Sequence, residues 1–202
     1  MIGIIDYGMG NLRSVQKAFA LNGFDAQVMD EPAMLEQADG LVIPGVGGFP
    51  DAMKNLHEKG LVEPIRRHAA SGKPLLGICL GMQVLFEEGF EGDRCEGLGL
   101  LQGQIVKIPA GVKIPHMGWN RLSILQECPV LKGTPDGAYV YFVHSYFANN
   151  CNAGNVAAVT DYGNMLTAVV QQNNIYGLQF HPEKSSETGL QMIKNFGELS
   201  QC

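Results

Sequence analysis

Two short runs, GLVIP at 40–44 and PLLGIC at 74–79, carry no polar side chain at any position. A strand with one face in water alternates apolar and polar residues, whereas a strand covered on both faces is apolar throughout. Strands of the second kind belong to parallel sheets flanked by helices, so these two runs restrict the fold more than any other feature. Strand and helix patterns alternate around them. Residues 2–6 form a β-branched run, followed by a glycine turn at Gly8 and Gly10 and a helical pattern over 11–21. A strand at 25–29 and a short helix at 32–38 come next. Helical patterns at 52–59 and 62–71 separate the two apolar runs, and a helix over 80–87 follows the second. This rhythm with short connections predicts an α/β fold with a doubly wound, mostly parallel sheet.

Beyond residue 103 the pattern changes. Short strand-like runs at 104–108, 121–125, 139–144, 156–160, 166–171 and 175–180 are separated by turn sequences such as Asp161-Tyr162-Gly163-Asn164 and Asn173-Asn174. They are expected to add antiparallel strands to the parallel core. Residues 87–99 are polar and glycine-rich and are expected to form a surface loop. A closing helix is expected over 187–199, with Leu190, Ile193, Asn195 and Phe196 on its inner face. With 202 residues and neither linker nor repeat, the chain is expected to be a single domain, 1–202.

Composition narrows the function. Apolar residues make up 46% and charged residues 17%, a globular balance. A formal charge of −6, with Lys and Arg scattered, argues against nucleic acid or an anionic membrane as partner. The N-terminal MIGIIDYGMG has no basic segment and is interrupted by Asp6, so no signal peptide is expected. No apolar stretch is long enough to predict a membrane span. The five cysteines (79, 95, 128, 151 and 202) form no C-x-x-C pair and have no histidine at ligand spacing. A metal site or disulfide framework is therefore not expected, and the expected compartment is the cytoplasm.

Three motifs carry chemistry. Gly77-Ile78-Cys79-Leu80-Gly81 places a cysteine where a strand becomes a helix, with a glycine two residues away on each side. A nucleophile on such a strained turn needs small neighbours, and the helix N-terminus favours a thiolate; an inert core thiol is the other reading. His181-Pro182-Glu183 ends a late strand. Alternate residues of an extended chain share a side, so Glu183 can orient His181 as in a catalytic triad; alone, the motif also fits a surface turn. Pro44-Gly45-Val46-Gly47-Gly48 follows a buried strand and can present backbone N–H groups to a developing oxyanion, or be an ordinary loop. A dinucleotide fingerprint is poorly supported, because Gly8-x-Gly10 reaches Arg13 where a third glycine belongs. In an α/β sheet these three loops would converge on one edge.

With those residues in view, the chain resembles the class I (triad-type) glutamine amidotransferases, through PGVG at 44–47, GICLGMQ at 77–83 and QFHPEKS at 179–185. IDYGMGNL at 5–12, PHMGWN at 115–120 and YFVHSYF at 141–147 resemble a narrower group, whose members hand ammonia to a (β/α)₈-barrel cyclase in histidine biosynthesis. The resemblance implies a glutaminase that uses neither cofactor nor metal. Cys79 would attack the side-chain amide of glutamine, His181 would shuttle the proton and Glu183 would orient His181. Gln83, Ser145 and Tyr146 would hold the glutamine, with Gly45, Gly47 and Gly48 lining the pocket. The Leu80 N–H would be one oxyanion donor and a peptide N–H of the Val46-Gly47 region the other. The cyclase interface would carry Asn11, Trp119, Tyr141 and Lys184. Outside these motifs, His57 and His68 are expected to be solvated, His144 to be a structural hydrogen-bonding residue, and the other four cysteines to be inert. Two rival readings remain at this point: a free-standing cysteine hydrolase of the same architecture, and an interaction protein that has lost its chemistry.

Overall fold

The computed structural model describes residues 1–201; Cys202, expected to be inert, lies outside the described residues. The main sheet has eight strands, in the spatial order Ala26–Met29, Ile2–Ile5, Gly40–Ile43, Leu75–Ile78, Ile175–Leu178, Met165–Gln172, Val156–Asp161 and Ser123–Ile124. The first five run parallel. The other three continue the sheet antiparallel, with the expected turn at 162–164 between two of them. The one at 173–174 leads to Ile175–Leu178, which runs parallel to Leu75–Ile78 instead of joining the antiparallel set as expected. Every residue of Gly40–Ile43 and Leu75–Ile78 is buried, as unbroken apolar runs require.

The period of two sends alternate residues of these strands to opposite faces. Leu41, Ile43 and Leu75 pack with Phe49, Leu56 and Ile65, from helices Phe49–Glu58 and Val62–Ala70. Val42, Leu76 and Ile78 pack with Phe19, Ile193 and Phe196, from helices Leu12–Leu21 and Ser186–Leu199. The parallel sheet is therefore covered on both faces.

The largest departure from expectation follows Cys79. The helix there stops at Gln83, and Phe86–Gly89 is a strand instead of helix and loop. It pairs with Leu101–Lys107 and Cys95–Glu96, and Tyr146–Asn149 completes a separate four-stranded sheet. A short apolar run such as Val84-Leu85-Phe86 cannot be assigned to helix or strand by periodicity, and packing decides. Here Gly89 lies flat against the Phe49 ring: a Cβ at 89 would fall 2.8 Å from it. A third sheet pairs His116–Arg121 with Tyr139–His144, leaving only Ser123–Ile124 of the expected 121–125 run on the main sheet.

Smaller corrections have local causes. Helix Phe49–Glu58 starts before residue 52, with Pro50 in its first turn. On the last helix Met192 joins Ile193, Asn195 and Phe196 in the core, while Leu190 is only partly buried. His68 is buried, not solvated, with Nε2 3.0 Å from the Pro74 carbonyl oxygen. Among the described residues no helix is long and apolar enough to cross a membrane.

Asn195 ties the last helix to the segment before Tyr139, donating from Nδ2 to the carbonyls of Val130 (3.0 Å) and Lys132 (2.8 Å). Replacing it by alanine removes both bonds, and Asn195→Ala is expected to cost about 2–3 kcal/mol. The urea denaturation midpoint should fall accordingly, and an unchanged midpoint would refute the tie.

Candidate active site

Gly40–Ile43, Leu75–Ile78 and Ile175–Leu178 are neighbours and parallel, so all three carboxyl ends meet one edge of the sheet. They deliver residues 44–48, Cys79 and residues 179–183 to the same place.

Cys79 sits at φ 54°, ψ −111°, a positive-φ conformation uncommon for a residue with a Cβ. Its N–H donates to the Leu178 carbonyl at 2.7 Å, and it caps the one-turn helix Leu80–Gln83. The flanking glycines are steric requirements. A Cβ at Gly81 would lie 1.7 Å from the Ile43 carbonyl oxygen, and one at Gly77 would lie 2.5 Å from the Gly81 carbonyl oxygen. Gly81→Ala must therefore lift the helix off the sheet. We expect it to destabilise the fold by about 3 kcal/mol or more, read as a lowered melting temperature, and to displace Cys79.

The Cys79 sulfur is 3.8 Å from the Val143 carbonyl oxygen and 3.8 Å from Gln179 Nε2. His181 and Glu183 are joined through Nδ1 and Oε1 at 2.8 Å, with both side chains almost wholly enclosed. The carboxylate accepts, so Nδ1 carries the proton. His181 Nε2 is buried without a hydrogen-bond partner of good geometry, yet Cys79 is near enough to act on it. Burial pulls the imidazole pKa down, but the sulfur and the carboxylate outweigh it and raise it to about 9. The histidine turn is also pinned to the third sheet: His181 N–H donates to the Tyr141 carbonyl, and Ser185 Oγ links Tyr141 N–H to the His181 carbonyl.

A cavity of about 300 Å³ opens at the sulfur, at the small end of the range for small-molecule sites. Val46, Gly47, Leu80, Gln83, Ser145 and Tyr146, all expected at the site, line it. As the first residue of its helix, Leu80 has an N–H without an intrahelical partner. Gly47 has φ +115°, which only glycine adopts freely.

Gly45 and Gly48 do not line the cavity. Gly45 is small because a Cβ would fall 2.4 Å from Tyr7 Oη, and Gly48 caps helix Phe49–Glu58. The expectation of a lining role is corrected for both: Gly45 packs against Tyr7 and Leu80, and Gly48 lies beside Glu91.

Sequence reasoning missed Glu91, Pro115 and Val143, which with His144 complete the lining. Glu91 accepts the Phe49 N–H at 2.7 Å and comes from the stretch expected to be a loop. Buried Tyr7, also unforeseen, donates to the Pro44 carbonyl at 2.6 Å. Burial, then the charge of Cys79, raises its pKa well above the phenol range.

His144 behaves as the expected structural histidine. Its Nδ1 donates to the Tyr146 carbonyl at 2.8 Å, leaving Nε2 to accept from His116 Nδ1 at 3.0 Å. His116 is stacked between Phe142 and Tyr162. Burial lowers both imidazoles to about 4, so they are neutral hydrogen-bonding groups at physiological pH. Burial raises the thiols of Cys95, Cys128 and Cys151, that of Cys128 to about 11, which fits inert cysteines. Of the expected interface residues, Asn11 and Lys184 are exposed, Trp119 is 51% exposed, and Tyr141 meets Trp119 edge-to-face at 6.1 Å.

The family model for glutamine amidotransferase class-I matches residues 3–198. The chain belongs to that family. A crystal structure of a glutamine amidotransferase superposes with a TM-score of 0.79 at 22% identity, covering 100% of this chain and 99% of the other. The PurLQS structure from Thermotoga maritima gives 0.75 at 22% identity, covering 96% of each chain; at these identities the likeness concerns the fold. Sequence similarity is more specific. The chain is 52% identical to the imidazole glycerol phosphate synthase subunit HisH of Caldanaerobacter subterraneus subsp. tengcongensis, over the full length of both. It is 54% identical to the HisH subunit of Desulfitobacterium hafniense, covering 98% of this chain and 94% of that one. With the HisH subunit of Aquifex aeolicus it shares 50% identity over 96% and 94% of the two chains. Within the class, the chain therefore belongs with the HisH subunits of imidazole glycerol phosphate synthase.

Proposed function

We propose that Cys79, His181 and Glu183 hydrolyse glutamine to glutamate and ammonia, and that the ammonia passes to the (β/α)₈-barrel cyclase subunit of an imidazole glycerol phosphate synthase. The observation that carries this reading is the enclosed His181–Glu183 pair at 2.8 Å, acting on a cysteine at the floor of a cavity of about 300 Å³. His181, with its pKa near 9, holds a proton at neutral pH and offers it to the leaving amine. The Cys79 sulfur attacks the carboxamide carbon of glutamine. The Leu80 N–H and a peptide N–H of the Val46-Gly47 segment receive the oxyanion. Collapse expels ammonia and leaves a glutamyl thioester. His181 then takes a proton from water, hydroxide adds to the thioester, and glutamate leaves as the thiolate is restored. Gln83, Ser145 and Tyr146 hold the substrate, while Glu91, the cavity's carboxylate outside the triad, faces the α-ammonium group.

Docking falls to the outer face of the third sheet. Met117 (61% exposed), Trp119 and Tyr139 (54%) stand there with Tyr141; Met117 pairs directly with Val143 of the cavity wall, and the Trp119–Tyr141 pair comes next along the same face. An exposed apolar face continuous with an active-site wall suits a partner that takes up the product. Asn11 and Lys184 flank it. In this reading the chain acts as one amidotransferase domain in the cytoplasm, where its thiols stay reduced.

Cys79→Ala is expected to lower glutamine-dependent synthesis by the assembled enzyme at least about 10³-fold, while synthesis from ammonium salts persists. Loss of both would refute the division of labour. Trp119→Ala should weaken association with the cyclase by about 2 kcal/mol, roughly thirtyfold in Kd, measurable by titration calorimetry. Unaltered binding would move the interface elsewhere.

A further inference from the structure

Gln179 has no role in the scheme above, although it is fully buried beside the reacting sulfur. It lies just beyond strand Ile175–Leu178, its backbone N–H held by the Ala168 carbonyl at 2.9 Å. Its Nε2 is 3.8 Å from Cys79 Sγ, and its Oε1 is 3.1 Å from Gln83 Nε2. Gln83 Nε2 also lies 2.9 Å from the Tyr146 carbonyl oxygen.

The orientation of both amides follows from one fixed acceptor. A backbone carbonyl can only accept, so the Gln83 atom facing Tyr146 is its nitrogen. That nitrogen has a second hydrogen, and Gln179 must meet it with oxygen. The Gln179 nitrogen is then left facing sulfur. Turning Gln179 over would oppose two amide nitrogens and place an oxygen against Sγ, both in a buried setting where unmatched polar groups are costly.

We propose that Gln179 is a catalytic hydrogen-bond donor to the Cys79 sulfur, which stabilises the thiolate and aims it into the cavity. The proposal rests on the reading of Cys79 as the glutaminase nucleophile. The need for such a donor is electrostatic. The helix behind Cys79 is a single turn, and the Val143 carbonyl oxygen, 3.8 Å from the sulfur, favours the thiol over the thiolate. An amide N–H aimed at the sulfur offsets that carbonyl, and a bond to a charged acceptor is stronger than one to a neutral acceptor. Through Gln83, the donor is tied to Tyr146 in the wall that holds the substrate.

The test is the rate of Cys79 alkylation by iodoacetamide as a function of pH, followed by peptide mapping in the full-length chain. Gln179→Met removes the donor at similar volume. It is expected to slow labelling at neutral pH by about three- to tenfold and to move the profile to higher pH. Gln179→Glu keeps an acceptor for Gln83 but sets a carboxylate against the sulfur, and should slow labelling further. Gln83→Met, which frees Gln179 to rotate, should shift the profile in the same direction by less. Loosened packing predicts the opposite, because a buried thiol that becomes exposed labels faster. A Gln179→Met profile superimposable on the wild type, or labelling accelerated at every pH, overturns the donor role. Failure of the underlying glutaminase reading shows separately, as glutamine turnover that survives Cys79→Ala.

Discussion

The geometry of the sheet's carboxyl edge depends on how closely the backbone at residue 81 lies against the Ile43 carbonyl. No side chain fits between them. With the one-turn helix seated that low on the strand, the chain can enter it only through a sharp bend, and the bend falls on Cys79 at φ 54°. Such a conformation costs on the order of 1–3 kcal/mol for a residue with a Cβ. The buried strands on either side, Gly40–Ile43 and Ile175–Leu178, hold it in place. The same seat carries Leu80 and Gln83 into the cavity wall.

Charge at the site follows from how far neighbours offset burial. His181 and His144 are both enclosed, and burial alone lowers an imidazole pKa. His181 nevertheless rises to about 9, because a carboxylate and the cysteine sulfur face it. His144 falls to about 4 because burial dominates there; the Tyr146 carbonyl offsets it only in part, and His116 and His181 depress it further. Two enclosed histidines near the same cysteine thus divide into a proton carrier and a fixed strut.

Much of this was legible in the chain, where a local rule had one outcome. The apolar runs at 40–44 and 74–79, the glycines around Cys79 and the His-Pro-Glu turn each carry such a rule, and the structure brings them together. The misses arose where two outcomes share a pattern. Val84-Leu85-Phe86 continues a helix or starts a strand equally well, and contact with Phe49 through Gly89 decides. Glu91 has no local signal, since its place in the cavity depends on that second sheet. His68 could have been found: it lies three positions after Ile65 on a stripe with Val62, and the adjacent Arg66-Arg67 obscured the spacing. Gly45 and Gly48 show that a glycine-rich loop can be glycine-rich for packing at some positions and for binding at others.

The strand order also has a consequence for when the site comes into being. Ile175 pairs with Leu75, and Leu178 with Ile78, each across one hundred residues of chain. The strands on the cysteine side can form from local β-α-β units, whereas the histidine strand must close a long loop before it docks. The cysteine strand is made first during synthesis, yet it stays without its histidine and glutamate until residues 181–183, about one hundred residues later, have also left the ribosome. A stalled, truncated or half-folded chain therefore holds a cysteine with no base beside it and releases no ammonia in the absence of a finished enzyme.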